Sequence, residues 1–570
     1  MAAGRWLLHH RVARRLGSTA LGTRVPARTA ASTSDERGAG GSKGPGGFFI
    51  TTPIFYVNDR PHIGHLYSAL LADAACRFQQ LQGVVREHTL FCTGTDEHGL
   101  KIQRSAEAGG CEVQAFCDAV SHDFRSLFVS ADVSFTDFVR TSEQRHCATV
   151  HRVFQALADG GHLYQGRYEG WYCLADEAFL GEGQVREEQL PSGQTATVSA
   201  ESGRLVEWHS EDNYMFRMSA FRDELLCWLR AEGRVRPRHF QHQLEQWVSE
   251  ELPDLSVSRP RERVPWGVPV PGDEGHTIYV WVDALANYLT AAGGFPTPKP
   301  WPPDVHVLGK DILRFHGLCW PALLLALGLE LPRALLCHGH WTIGGQKMSK
   351  SLGNVVDPRQ AAAQYTMGGL RYLLLRGGAP HADSPWGGAV AGHLLNAELA
   401  DTLGNLLNRC TAPALNPQGC VPPLDVGLLE SSPCGLQLAK HLATLPDTIA
   451  HHYADFNFHH GIEATMGAVR QANAFVQEEQ PWVLAKDPAS TPRLELVLRL
   501  SFEVLRVAGV ALLPVVPELS TRLLDCLGVP PALRTWSSLS LGFTKPDQEY
   551  LSTSFTLGLR HKLFPKLKLQ

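Results

Sequence analysis

The chain has 570 residues, 44% of them hydrophobic, which is enough for several cored domains, and a formal net charge of −5 that gives no global sign of nucleic-acid binding. Its thirteen cysteines are scattered without a Cys-x-x-Cys pair, which argues for a reducing compartment and against a disulfide framework or a thiolate metal site. No apolar run reaches the length of a membrane span; Ala322–Leu327 is too short, so no membrane partner is expected.

Residues Met1–Ser34 carry six arginines (Arg5, Arg11, Arg14, Arg15, Arg24, Arg28) and no acidic residue, among many Ala, Ser and Thr. Trp6, Leu7, Leu8 and Leu16 with these arginines permit a basic amphipathic helix, the composition of an organelle transit peptide. The alternative is a basic tail that binds RNA. Without the six arginines the net charge falls to about −11. Ser34–Gly47 is a Gly/Ser-rich linker.

Gly47–Thr52 reads as a buried strand, and Leu66, Leu70, Leu71, Ala74, Phe78 and Leu81 mark one face of a following helix. Between them, Pro53–His65 is a short polar loop ending in His62-Ile63-Gly64-His65 at the helix start. In a parallel α/β sheet such a junction lies at the carboxyl end of a strand, where ligands bind. A helix start offers unpaired backbone N–H groups and partial positive charge, and two imidazoles three residues apart can both donate to phosphate oxygens. Gly64 lets a ligand approach the backbone. The alternative is that both histidines merely cap the loop.

Glu87–Cys92 reads as the next strand, running into a polar loop, Thr93–Gly99, where Asp96 is either a helix cap or a carboxylate for an ammonium group. Val133–Thr141, with Arg140, is a further strand of the same half. From Leu157 to Val257 the character shifts to short strands (Tyr168–Cys173, Thr195–Val198, Leu205–Trp208) separated by Gly and Ser turns. Cys173 and Cys227 supply too few thiolates there for structural zinc, and His162 and His209 are expected to be surface or hydrogen-bonded residues. Arg259 follows, as an active-site group or one half of a surface ion pair. Trp281, Ala284, Leu285 and Tyr288 share a helical face, an aromatic stripe that is ordinarily core. Val305–Ile312 is another strand-to-helix turn. Lys347-Met348-Ser349-Lys350-Ser351 sits in what reads as a flexible, glycine-bearing loop, where two lysines can close on developing pyrophosphate charge. Beyond Leu370 the pattern is helical. Asn405 and Arg409 share one helix face, and Pro481-Trp482 follows a long helix ending near Glu479. The last twenty residues hold Arg560, Lys562, Lys566 and Lys568 with no acid, a tail that can pack, touch RNA, or both.

His62-x-Gly64-His65 together with Lys347–Ser351 resembles the two signature motifs of class I aminoacyl-tRNA synthetases. The residues between and around them resemble the methionyl-tRNA synthetase branch in its mitochondrial form, from about Phe48 to about Lys486. The resemblance implies an α/β fold: a Rossmann-like parallel-sheet catalytic domain split by an inserted connective module and followed by an α-helical anticodon-binding domain. The corresponding boundaries are 1–43 for leader and linker, 44–156 and 258–335 for the catalytic halves, 157–257 for the insertion, 336–390 for the lysine loop and its connection, and 391–570 for the helical domain. The implied reaction is ATP-dependent activation of methionine and its transfer to tRNA(Met), in the mitochondrial matrix, with Mg2+ accompanying ATP.

By the same resemblance, His62, His65, Lys347, Lys350, Asp96 and Arg259 are catalytic, and Gly64, Gly309, Asp311, Met348, Ser349 and Ser351 bind ATP. Ile54, Tyr56, Asp96, Trp281, Ala284, Leu285, Tyr288, Ile312 and His316 bind methionine, whose unbranched, polarizable side chain suits aromatic walls. A Tyr hydroxyl and a His N–H are expected to donate to its sulfur. Asn405, Arg409 and Trp482 match anticodon-reading positions, although a buried Trp and a helix-face Asn/Arg pair are also ordinary bundle features. Many relatives hold zinc in the insertion with Cys-x-x-Cys pairs; this chain departs from that, so no metal site is expected. It also stops without an appended tRNA-binding and dimerising domain, so a monomer is expected. Two rivals remain: a metabolic nucleotidyltransferase, which needs neither insertion nor helical half, and a non-catalytic tRNA-binding relative, which would have lost the motifs.

Overall fold

The computed structural model describes residues 47–173, 178–189, 195–200, 203–250, 252–348, 353–540, 555–558 and 562–568. The arginine-rich leader, Ser349, Lys350, Ser351 and Arg560 lie outside the described residues.

Seven strands build the central sheet: β1 (Phe48–Thr51), β2 (Phe55–Tyr56), β3 (Thr89–Asp96), β4 (Asp137–Arg140), β5 (Val235–Arg236), β6 (Val305–Gly309) and β7 (Leu335–His338). They run in the order β5-β7-β6-β1-β3-β2, with β4 on the other side of β3, and every pairing is parallel. β1 and β6 are almost continuously buried, as a sheet covered on both faces requires. The chain crosses from β1 through helix α1 (Ile63–Leu81), whose face Leu66, Leu70, Leu71, Ala74 and Phe78 is fully buried. The α/β class and the strand, loop and helix order follow the sequence pattern.

Two expectations change. β3 does not end at Cys92; it continues through Thr93, Gly94 and Thr95 to Asp96, gripped by β4 on one side and β2 on the other. A Cβ on Gly94 would stand 1.9 Å from the Val139 carbonyl oxygen, so the glycine is there to let β4 approach. The lysine motif is not entered by an open loop either. Trp341–Ile343 and Gln346–Lys347 form an antiparallel hairpin closed by Gly344 and Gly345, both at positive φ (58° and 78°). A two-residue turn of that kind demands positive φ at both positions, which glycine adopts without strain.

The insertion is an antiparallel sheet of Leu163–Cys173, Ala178–Leu180, Glu207–Phe216 and Leu255–Ser256, with a separate hairpin Val185–Gln189/Thr195–Ser199. The 157–257 segment also supplies β5 to the central sheet, so its later part is woven into the nucleotide fold. Long helices follow at Pro433–Ala454, Phe458–Glu479 and Thr491–Ala511. The buried guanidinium of Arg371, on the helix Met367–Gly377, joins this half to α1: it donates to Asp73 at 2.6 Å and to the carbonyls of Ala131 and Val515 at 2.7 and 3.0 Å. The described part of the tail packs, with Leu563 and Phe564 buried, Lys566 on Asp401 at 2.9 Å and Leu567 on Asn396. Among the described residues no helix is long and apolar enough to cross a membrane.

Candidate active site

Four strand ends meet along one edge of the sheet. At the first, after β1, His62 is the N-cap of α1: its Nδ1 accepts the Gly64 N–H at 3.0 Å, and the Nδ1 of His65 accepts the His62 N–H at 3.2 Å. The two rings stack with centroids 3.8 Å apart. A Cβ on Gly64 would lie 2.8 Å from the His62 ring, so the room that glycine makes is taken by the capping imidazole. Because each Nδ1 accepts, the ring proton of each neutral histidine resides on Nε2. Capping and phosphate donation are therefore compatible: one nitrogen holds the helix start and fixes the tautomer, and the other carries the donor.

At the second, Asp96 ends β3 in register with Tyr56 of β2, whose ring lies beneath the Lys101 ammonium. Two residues on, His98 Nδ1 reaches Asp283 Oδ2 at 2.7 Å, and His146 Nε2 reaches Asp283 Oδ1 at 2.9 Å. Burial raises the Asp283 carboxyl pKa, but the charge of His98 and the hydrogen bonds from both histidines outweigh that and bring it to about 2. Asp283 lies in the short helix Val280–Leu285 with Trp281, Ala284 and Leu285, so this cluster clamps the apolar pocket helix to the strand end that bears Asp96.

Trp281, Tyr288 and His316 come together. Trp281 stacks flat on Phe315 at 3.8 Å and meets His316 edge-on, while Tyr288 and Leu285 are buried and Ile312 and Ile54 are half-buried. His316 lies in a π-helical turn, Phe315–Cys319. The expected donors to sulfur are engaged with protein partners in this structure. The Nδ1–H of His316 donates to the Ile312 carbonyl at 3.0 Å, leaving Nε2 to accept the Tyr288 hydroxyl proton at 2.7 Å. Burial depresses the His316 pKa to about 4, so the ring is neutral and both protons are committed inside the wall.

At the third, Gly309 ends β6 and Asp311 follows. At the fourth, beyond β7, His340 leads into the lysine hairpin. Asp311 accepts from Lys347 Nζ at 2.7 Å and from His340 Nε2 at 3.0 Å. The Lys347 charge and the His340 hydrogen bond hold its carboxyl far below the usual range despite desolvation. Met348 is buried, and Ile63 at the start of α1 donates to the Val356 carbonyl just past the lysine motif at 3.1 Å. The histidine motif and the described part of the lysine motif, Lys347 and Met348, remote in sequence, share one edge of the sheet.

A family profile described as "tRNA synthetases class I (M)" matches residues 48–411. The protein is 49% identical over 508 residues to the mitochondrial methionine–tRNA ligase of Bos taurus, covering 86% of this chain and 85% of that one. It is 48% identical over 528 residues to that of Xenopus laevis, covering 91% and 92%. In structure it is similar to the Mycobacterium tuberculosis methionyl-tRNA synthetase in complex with methionyl-adenylate, with a TM-score of 0.83 and 34% identity over 91% of this chain and 100% of that chain. The chain belongs to the class I methionyl-tRNA synthetase family.

Not every motif position of this synthetase gathers at the strand ends. Arg259 is buried against the insertion: its Nε and Nη2 donate to Glu211 at 2.7 and 2.8 Å, and its guanidinium lies 4.1 Å over the Tyr172 ring. It is an ion pair, though a buried one rather than the surface pair weighed from sequence. Among the described residues no cluster of three His, Cys, Asp or Glu side chains is arranged to hold a metal. His209 instead accepts from Arg263 at Nδ1 and stacks on Tyr172. Asn405 and Arg409 are half-buried on the helix Asn405–Cys410. Trp482, on the short helix Pro481–Leu484, is 39% exposed beside Val483 at 50%, which does not match a bundle-core tryptophan. Both helices pack against Thr491–Ala511. The sequence reading overlooked His98, Asp283, Phe315 and His340. His98 and Asp283 stand inside strings already singled out, but nothing in their spacing announces that they meet.

Proposed function

We infer that this synthetase uses ATP to convert methionine to methionyl-adenylate and then transfers the methionyl group to the 3′ end of tRNA(Met), in mitochondrial translation. The observation that carries the reading is the approach of the segments bearing the two motifs: Ile63, one residue after His62, is hydrogen-bonded to Val356, just beyond the lysine motif. A metabolic nucleotidyltransferase would need neither that insertion nor the helical half.

In the activation step the methionine carboxylate oxygen attacks the α-phosphorus in line, forming the mixed anhydride as the bond to pyrophosphate breaks. There is little covalent work for the protein, which positions the reactants and stabilises moving charge. Asp96 holds the ammonium group at the end of β3. Ile54, Tyr56, Trp281, Ala284, Leu285, Tyr288, Ile312 and His316 surround the thioether chain. Gly64, Gly309, Asp311, Met348, Ser349 and Ser351 receive the nucleotide, which arrives with magnesium as part of the substrate. The Nε2–H groups of His62 and His65 and the ammonium groups of Lys347 and Lys350 stabilise charge passing to pyrophosphate. Asn405, Arg409 and the exposed Trp482 read the anticodon, whose unstacked bases can be stacked and read along their edges.

Arg259, paired with Glu211, supports the insertion; a direct catalytic role for it rests on resemblance alone. The insertion folds without zinc, the protein acts as a monomer, and the domain boundaries are those given above except that Val235–Arg236 and the whole of Leu335–His338 belong to the catalytic sheet. The leader directs the protein, which is mitochondrial, to the matrix. The test is methionylation by the purified chain of tRNA(Met) with a CAU anticodon against the same tRNA with that anticodon changed. Charging of the first and a large loss with the second supports the reading; no methionine acceptance by either contradicts it.

A further inference from the structure

His340 belongs to neither signature motif, yet it shares Asp311 with Lys347 of the lysine motif. Its backbone N–H donates to Asp383 Oδ1 at 2.8 Å, and Asp383 Oδ2 is held by Lys310 Nζ at 2.9 Å. That pins the residue between the turn after β6 and the segment after the helix Met367–Gly377. Its side chain is only 15% exposed, and its Nε2 donates to Asp311 Oδ1 at 3.0 Å. The other oxygen, Oδ2, takes Lys347 Nζ at 2.7 Å. The two donors to Asp311 differ in exposure: the Lys347 side chain is half exposed at the end of the lysine hairpin, whereas that of His340 is mostly buried and its backbone N–H is tied to Asp383.

We propose that His340 is a positioning residue for the nucleotide, fixing Asp311 through Oδ1 so that Oδ2 is presented to the ribose hydroxyls of ATP once Lys347 leaves it. This rests on the reading of Asp311 as the ribose acceptor. The Lys347–Asp311 pair is then the resting contact that the ribose hydroxyls replace, and its release frees the lysine for the phosphates. Nucleotide binding and the release of Lys347 are coupled because they share one carboxylate oxygen. A carboxylate held by one charge-assisted hydrogen bond keeps a defined plane, while an unheld one rotates and loses the ribose geometry.

The test is methionine-dependent pyrophosphate exchange by the full chain with ATP, 2′-deoxy-ATP and 3′-deoxy-ATP, comparing wild type with His340→Phe, His340→Gln, His340→Asn and Asp311→Asn. His340→Phe removes the donor and keeps ring bulk. It is expected to raise KM for ATP about tenfold, leave KM for methionine unchanged, and flatten the preference for ATP over the deoxy analogues. His340→Gln, whose amide can reach the same oxygen, should restore most of both properties, and the shorter His340→Asn should not; this pair carries the test if the Phe variant folds poorly. If Asp311→Asn loses ribose discrimination while His340→Phe and His340→Asn keep wild-type discrimination and KM for ATP, the role of His340 is overturned. If Asp311→Asn itself keeps full discrimination, the ribose reading of Asp311 fails and the proposal falls with it.

Discussion

At His65 the observed cap and the proposed phosphate donor share one side chain, and their magnitudes separate them. Losing the Nδ1 cap costs about 1 kcal/mol of folding stability, whereas losing an oxyanion-type donor costs about 2–4 kcal/mol of transition-state stabilisation. His65→Ala is therefore expected to lower pyrophosphate exchange by a factor of about 100 while melting close to wild type. Equal proportional losses in exchange and stability would reduce His65 to a cap. Arg259 gives the opposite expectation. Its bidentate pair with Glu211 is buried beneath Tyr172 and Phe179, and breaking a buried pair costs about 3–5 kcal/mol because the remaining charge is stranded. Arg259→Met should destabilise the insertion, read as faster proteolysis and a lower Tm. A stable Arg259→Met enzyme with kcat reduced by orders of magnitude would restore the catalytic reading.

Among elements, the short helix Pro481–Leu484 makes the clearest claim, since Trp482 and Val483 stand exposed on it. An aromatic stacking partner is worth about 1–3 kcal/mol per base, so Trp482→Ala should weaken methionylation of tRNA by that order and leave pyrophosphate exchange intact. A well-folded Trp482→Ala enzyme that charges tRNA normally would remove Trp482 from anticodon recognition. The elements that were legible from the chain are those with a strong local period. The buried face of α1 and the end of the helix Phe458–Glu479 both appear as expected. Those misjudged are set by partners distant in sequence. Thr93–Asp96 is polar and glycine-bearing, which locally reads as a loop, and becomes strand only because β2 and β4 flank it. The Gly344-Gly345 hairpin hides among residues that equally suit an open loop. The site follows the same division. The motif histidines and the aromatic stripe could be named from spacing together with family resemblance, but the commitment of the His316 and Tyr288 protons to each other and to Ile312 could not. Neither could the clamp of His98 and His146 on Asp283, whose three residues come from separate segments.

For the molecule as a whole, these buried ionisable groups set the response to acid. Burial lowers the pKa of His316 and of His338, which accepts from Ser68 and donates to the Gly339 carbonyl, to about 4 from the ordinary 6.5. The unfolded chain takes up those protons first, so their contribution is full above pH 6.5 and is lost as pH falls to about 4, at about 3 kcal/mol each. Asp283 acts lower on the scale. Its carboxylate contribution, about 2 kcal/mol, is present above its ordinary value of 3.8 and lost as pH falls through about 2. Denaturant midpoints measured against pH should therefore decline from about 6.5 downward, with the steepest loss before Asp283 titrates. A flat profile between pH 6.5 and 4 would contradict the neutral, buried state of the two histidines.

Amino-acid-dependent ATP–pyrophosphate exchange by the purified chain, without tRNA, tests the proposed function and its apolar methionine pocket most directly. A hydrophobic slot discriminates by only about 1–3 kcal/mol per methylene, so methionine should drive exchange strongly, norleucine detectably and valine not at all. Exchange driven equally by leucine or valine, or indifferent to any amino acid, would contradict a methionine-activating enzyme.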